Sequence, residues 1–387
     1  MKSANSLMSS LGTTVFEVTS ALAREHKSVN LGQGFPDDKG PDEVRAAAAD
    51  YLLNGHNQYP PMMGIPELRQ AVAEHAKRFQ GLDVDWQAEV LVTSGATEAL
   101  GDCLFGLIEP GDEVVLIEPL YDSYLPMVRR AGGIPKMVRL EPPSWRLPKD
   151  ELAAAFSDRT KLILFNTPMN PCSKVFDEEE LDFIASLCLK HDVYAICDEV
   201  YEHIIFDDRR HVSLMTLPDM RNRTVRIGSA GKSFSLTGWK VGYITAAPDL
   251  MRAIAKTHQF MTFTTPPNLQ WGAATGLRLG DSYFTGLAQD MQRKRDRLAG
   301  ALSEIGFEVL PAHGTYFVTT DFRPLGFNGT DEDFCRHITV EAGVTAVPVS
   351  AFYDESAQAP RHFARFCFCK HDATLDSAVE RLAAHFR

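Results

Sequence analysis

A chain of 387 residues, 44% hydrophobic and 23% charged, is long enough for two or three domains around a large buried core. Its net charge of −12 speaks against nucleic acid or an anionic membrane as partner, so any anion site has to be built locally. Neither a secretory leader nor an apolar run of about 18 residues is seen, which predicts a cytoplasmic protein with no membrane span.

In chain order, residues 14–25 predict a short amphipathic helix with Val15, Val18, Leu22 and Ala23 on one face, and the Gly/Pro-rich 29–44 predict an ordered loop. From about 45 to 280 helices alternate with short apolar strands. The helices fall at 66–80, 96–108 and 178–191. The strands fall at 89–92, 113–117, 161–165, 193–197, 224–228 and 241–246. Such strands belong to a mostly parallel sheet covered by helices on both faces. A long helix at 282–304 is followed by a different texture: the strands FEVL, GTYFVTT and FARFCFCK, with helices at 331–341 and 373–386. The expected class is α/β, with a large domain at 45–285, a smaller α+β domain at 286–387, and an N-terminal arm at 1–44 packing with the small domain. The seven cysteines contain no CxxC pair. Cys367 and Cys369 fall two apart in a predicted strand, on one face, a poor spacing for a disulfide or a zinc site, so all seven read as reduced core residues.

Five segments carry candidate chemistry. SAGKSFSLTGWKVG (229–242) leaves a strand end with Ser229, Lys232 and Lys240 among small residues. A lysine there can form a Schiff base with an aldehyde, and the hydroxyl and second cation suit a phosphate. The plainer reading is a solvated loop. In AICDEVYEH (195–203) Asp198 ends a buried strand and needs a cationic or N–H partner, such as a protonated pyridine nitrogen. Tyr201, three residues on, can bond an oxygen of the same ring. The plainer reading of Asp198 is a cap of the following turn. FNTPMNPCSKVF (165–176) holds Asn170 in a Pro-rich turn, and VTSGATEAL (92–100) runs a strand through Ser94, Gly95 and Ala96 into a helix start that can receive an anion. In RFCFCK (365–370) Arg365 interrupts an apolar stretch, where a guanidinium binds a carboxylate of a substrate or of the protein itself. None of the five decides the matter alone. Together they supply a lysine, a pyridine-nitrogen partner, two donors for a ring oxygen, a phosphate cradle and a carboxylate fork.

With these motifs in this order, from GQGFP (32–36) to Arg365, the chain resembles the fold-type I enzymes of pyridoxal 5′-phosphate (PLP), namely the class I/II aminotransferases. NLGQGFP, QYPPMMGIPELR (58–69), NTPMNP and ARFCFCK resemble the kynurenine, glutamine and methionine aminotransferase group. The resemblance implies PLP as cofactor. It implies Lys232 as the Schiff-base lysine and the base that moves the α-proton, with Asp198 against the pyridinium. Asn170 and Tyr201 would bond the ring oxygen and Tyr121 would stack on the ring. Gly95, Ala96, Thr97, Ser229 and Lys240 would hold the phosphate. Arg365 with Gly34 and Asn170 would hold the substrate carboxylate. Tyr59 would reach into a neighbouring subunit, which implies a homodimer with shared sites. No metal is expected.

The stretch FMTFTTPPNLQ (260–270) contains neither Arg nor Lys, which argues against aspartate as preferred donor. Phe260, Phe263 and Thr264 suggest an apolar or mixed pocket. The kynurenine-type members carry aromatics at the positions that resemble Val15 and Thr97, which weakens kynurenine. The GATEAL turn is similar to bacterial methionine-type members. The expected donors are therefore methionine-like, aromatic or glutamine, with broad specificity, because an apolar pocket separates neighbouring side chains by only about 1–3 kcal/mol. A PLP-dependent cysteine-conjugate β-lyase uses the same residues and stays open as an alternative. A PLP-binding regulator domain is disfavoured by the acidic charge and by the short segment before the core.

Overall fold

The computed structural model describes residues 2–354 and 358–386. After a short strand β1 (Val29–Asn30) come β2 (Val90–Thr93), β3 (Glu113–Glu118), β4 (Ile134–Arg139), β5 (Thr160–Asn166), β6 (Tyr194–Asp198), β7 (Thr224–Ser229) and β8 (Gly242–Ala246). The last seven form one sheet in the order β2-β8-β7-β6-β5-β3-β4. The sheet is parallel except for β8, which runs against both neighbours. Successive residues of β3 and β5 feed different cores. Val115, Ile117, Ile163 and Phe165 pack with Leu181 and Ile184 of the helix Glu178–His191, while Val114, Leu116, Leu162 and Leu164 pack with Leu100, Leu104 and Ile254 of the helices on the other side. Burial on both faces is why these strands are apolar throughout rather than alternating. The helix Glu178–His191 matches its predicted bounds. Asp177 and Glu180 close a capping box at its start, and Asp192 ends it in the left-handed region.

The remaining strands are β9 (Glu308–Val309), β10 (Phe317–Asp321), β11 (Val344–Thr345), β12 (Val347–Pro348) and β13 (Phe363–Cys367). A second sheet runs β12-β13-β10-β9, and β1 pairs in parallel with β11, which ties the N-terminal arm to the C-terminal part. Leu31 of the arm shares a core with Leu298, Phe334, Phe366 and Leu382, and Val200 and Tyr201 from the first sheet's edge join it. No helix among the described residues is long and apolar enough to cross a membrane.

Several expectations need correction. The helix Val15–His26 forms, but Thr19, Ser20 and Ala23 face inward while Val18 is 54% exposed. Small side chains allow close packing there, and Thr19 satisfies its hydroxyl on the Val15 carbonyl at 2.7 Å. The supposed loop 29–44 contains β1 and ends in the helix Asp42–Asn54. Two further helices, Pro248–Met261 and Pro267–Leu277, have no counterpart in the expectation, and neither has β4. β4 pairs only with β3, and an edge strand can carry the Pro135 and Lys136 that hide its pattern. The helix at 331–341 is α only over Asp331–His337 and then widens to a π turn. The strand ends at Cys367, so Cys367 and Cys369 are not held apart by a strand repeat. Their Sγ atoms lie 3.1 Å apart, and all seven cysteines are buried and free.

Candidate active site

Asn166, Asp198 and Ser229 are the last residues of β5, β6 and β7, three adjacent parallel strands, so their side chains emerge along one carboxyl edge. β8 runs the other way. Its first residue, Gly242, is in register with both Ser229 and Thr93, the last residue of β2. That reversal brings Lys240, just before β8, and Gly95, just after β2, to the same edge. A cavity of about 360 Å³ opens there. Every predicted site residue except Tyr59 lines it: Gly34, Gly95, Ala96, Thr97, Tyr121, Asn170, Asp198, Tyr201, Ser229, Lys232, Lys240 and Arg365. Tyr59 is 84% exposed and packs edge-on to Phe263.

Lys232 sits in the single helical turn Ala230–Ser233 that follows β7. Burial pushes its amine below the ordinary lysine value, which favours the neutral, nucleophilic form. Its Nζ lies 3.0 Å from the Tyr316 hydroxyl, and that hydroxyl donates to the Gly34 carbonyl at 2.7 Å. Because the phenol has one proton and spends it on Gly34, Nζ must donate to it. In its neutral form the amine keeps its lone pair clear of this contact. Gly34 has to be glycine: a Cβ there would lie 2.6 Å from Phe317 Cζ and 3.1 Å from Tyr316.

Asp198 is buried. Its Oδ2 accepts from the Tyr124 phenol at 2.6 Å and its Oδ1 from the Val200 amide at 3.4 Å. Burial raises the carboxyl to about 6, and the Tyr124 phenol pulls it the other way. No cation among the described residues lies within ion-pair distance. The turn-capping contact is the weaker of its two bonds, so capping does not account for the residue.

Arg365 is fully buried with its guanidinium 3.9 Å from the Phe317 ring centroid and 4.9 Å from that of Phe352. It donates to Asn170 Oδ1 at 2.6 Å and to the Gly32 carbonyl at 2.9 Å, while its Nε has no partner. Among the described residues it makes no ion pair, so the reading as an internal salt bridge does not hold. Asn170 turns its oxygen to Arg365, which leaves its amide NH₂ to donate elsewhere. Asn166 braces this corner. Its side-chain NH₂ donates to the Asp198 backbone carbonyl at 2.7 Å, and its Oδ1 accepts from the Asn170 backbone N–H at 2.8 Å.

Gly95, with φ +81°, begins the helix Ala96–Leu107 without a side-chain cap, which leaves helix-start amides of the kind that can receive an anion. A Cβ at Gly95 would lie 3.2 Å from Lys240 Cε and 3.3 Å from its Nζ. Glycine is what lets that cation lie over the helix start. Ser229 is buried beside it.

The predicted pocket wall does not line this chain's own cavity. Phe260 is 81% exposed and Phe263 40% exposed, and Thr264 lies with them outside the cavity. The apolar lining comes from Phe16, Phe35 and Phe317. Val15 does not line the cavity either. Its neighbour Phe16 supplies the aromatic, 6.4 Å from Tyr121. Tyr124, Asn166 and Tyr316 were not anticipated. Asn166 stands inside a motif already singled out, FNTPMNP, and Tyr124 lies three residues after Tyr121, but Tyr316 lies 84 residues from the lysine whose amine it bonds and gives no local signal.

The family described as "Aminotransferase class I and II" matches residues 26–382. The chain is 40% identical to the methionine aminotransferase of Escherichia coli (strain K12), over 96% of each chain. It is 43% identical to a probable N-succinyldiaminopimelate aminotransferase of Mycobacterium tuberculosis, again over 96% of each. A crystal structure from Escherichia coli, of a protein identified as having a methionine aminotransferase function, superimposes with a TM-score of 0.95 at 39% identity, over 99% of this chain and 100% of that one.

Proposed function

The chain belongs to the class I and II aminotransferases, which are PLP-dependent, and we propose that its cavity moves the amino group of a neutral L-amino acid to a 2-oxo acid, with Lys232 as the working amine. The observation that carries this reading is the pairing, across one cavity, of an amine lowered by burial and a buried carboxylate with no cation of its own.

The residues fit the cofactor. Asp198 suits a protonated pyridine nitrogen, whose charge would favour the ionised carboxylate that burial alone disfavours. Asn170 and Tyr201 would donate to the ring oxygen, and Tyr121 would offer its aromatic face to the ring. Gly95, Ala96, Thr97, Ser229 and Lys240 would receive the phosphate. When bound, PLP supplies an aldehyde for amines and a ring that draws electrons from the substrate α-carbon. Arg365 and Asn170 grip the substrate carboxylate, with the Gly34 backbone beside them, and so hold the α-carbon in place. Lys232 Nζ, with its N–H on Tyr316 and its lone pair free, takes the α-proton and later returns one. Phe16, Phe35 and Phe317 exclude water from the side-chain end of the cavity.

Methionine-like, aromatic and glutamine donors are favoured. Lys232, Lys240 and Arg365 are the cations that line the cavity among the described residues, and each has a task, so an acidic side chain meets no spare cation of this chain. We assign the chain to an arm at 1–44, a large domain at 45–285 and a small domain at 286–387, acting as a homodimer. Exposed Tyr59, Leu53 and Phe260, at 84%, 80% and 81%, support a covered face, with Tyr59 entering the partner's site. Seven free buried thiols support a reducing cytoplasmic setting. Lys232→Ala should abolish both the visible band of the PLP-loaded protein and its shift on adding methionine. Turnover should fall by at least about 10⁴-fold. A donor panel against one 2-oxo acid tests the substrate class, and a strong preference for aspartate would refute it.

A further inference from the structure

His258 lies in the helix Pro248–Met261, which packs on the helix Ala96–Leu107, and it is completely buried. Its Nε2 is 3.1 Å from the Met62 carbonyl. A carbonyl can only accept, so Nε2 carries a proton. Its Nδ1 lies 3.0 Å from Glu98 Oε1 and 3.5 Å from Asp102 Oδ2, on two side chains four residues apart along one face of the packed helix. Ionised carboxylates also only accept, so Nδ1 carries a proton too and the ring is an imidazolium. Burial pushes the ring towards its neutral form, but Asp102 and Glu98 outweigh it and lift its pKa to about 9. With both nitrogens protonated, the trio has no lone pair to offer a metal ion from the histidine.

The other oxygen of Glu98 accepts the backbone N–H of Ser94, the residue immediately before Gly95. Ser94 Oγ is also 3.1 Å from Thr265 Oγ1. The turn that opens the anion site is thus held from outside by a carboxylate, and that carboxylate is held by His258. The cation has a second effect. A bare Glu98 in the first turn would repel a phosphate at the same helix start, and the imidazolium offsets it.

We propose that His258 is a positioning residue for the phosphate cradle: through Glu98 it fixes the Ser94 amide, and so the Gly95–Ala96–Thr97 turn, and it neutralises the carboxylate in the first turn of that helix. This rests on reading that turn as the phosphate site.

The test titrates the full-length chain, depleted of cofactor, with PLP and with pyridoxal, which has the same ring and aldehyde but no phosphate. His258→Gln should weaken PLP about tenfold and leave pyridoxal within about twofold, because only the phosphate meets the displaced turn. Lys240→Ala should also lower the PLP-to-pyridoxal ratio. If Lys240→Ala lowers the ratio and His258→Gln leaves it at the wild-type value, the inference is overturned while the cradle stands. An equal loss for both ligands in His258→Gln means general loosening and likewise overturns it. If neither variant moves the ratio, the cradle reading itself fails. Should His258→Gln not fold, Glu98→Gln decides. It keeps an acceptor for Ser94 but loses the charged anchor on His258, and the loosened turn should lower the ratio by about threefold, outweighing the relief of the first-turn charge. No change there counts against the inference.

Discussion

Asp198 and Glu199 are neighbours in the chain, both buried, with opposite surroundings. Glu199 faces away from the cavity. It bonds Arg226 Nε at 2.7 Å, His211 at 2.9 Å and Ser213 at 2.7 Å, and Arg226 continues to Glu202. Asp198 faces the cavity and has a phenol and an amide but no cation. The two buried arginines repeat the contrast. Arg226 is paired with two carboxylates, while Arg365 bonds only neutral oxygens; each keeps one buried nitrogen without a partner among the described residues, so the anion is what separates them. A buried charge that the protein neutralises itself is scaffold. One that it leaves for something else to neutralise marks a binding site.

Paired substitutions test this contrast, from the largest expected effect to the smallest. Asp198→Asn should cost about 10²–10³-fold in turnover with the melting temperature nearly kept, because no protein cation is stranded. Glu199→Gln should cost roughly 3–5 kcal/mol of stability, because buried Arg226 is left with only one of its two carboxylates and His211 loses a carboxylate partner. Equal destabilisation by the two, seen in thermal melts, would break the comparison. Arg365→Lys should lower kcat/KM about 10²-fold, mostly through KM, with little change in melting, since a lysine cannot form the fork. Arg226→Lys should instead lower the melting temperature by several degrees and spare KM.

A pH series sharpens it further. Burial raises the Asp198 carboxyl from 3.8 to about 6, so the folded chain binds that proton more tightly than the unfolded chain. Without cofactor, the residue's contribution to stability is therefore most favourable below about pH 4 and is lost as pH rises towards 6, on the order of 3 kcal/mol. Subtracting the Asp198→Asn melt series isolates this slope, and added PLP should flatten it. The opposite slope would mean that Asp198 already has a partner. Smallest is Tyr316→Phe, which frees the Lys232 amine from its acceptor and should lower kcat about tenfold while leaving KM and melting close to wild type.

Much of the large sheet was legible because its strands are short apolar runs bounded by turn residues, and the helix Glu178–His191 because its capping box is written within four residues. The failures have physical causes. β4 is an edge strand whose Pro135 and Lys136 erase the pattern. The face of the helix Val15–His26 was chosen by the partner it packs on, not by its most apolar side. Phe260 and Phe263 read as pocket because they are aromatic and close in sequence to the lysine, yet they lie on the outer surface.

By itself, then, the sequence named residues that the fold gathers round one cavity: Lys232, Asp198, Asn170 and Arg365 stand in motifs whose small residues, prolines and strand ends are local properties of the chain. The tertiary structure alone decided what those residues meet. The reversal of β8 set Lys240 over Gly95, Tyr316 oriented the Lys232 amine, and Phe16 closed the pocket in place of the phenylalanines after 259. Each is a contact between segments far apart in sequence, and no spacing or periodicity encodes which distant strand end will lie next to which.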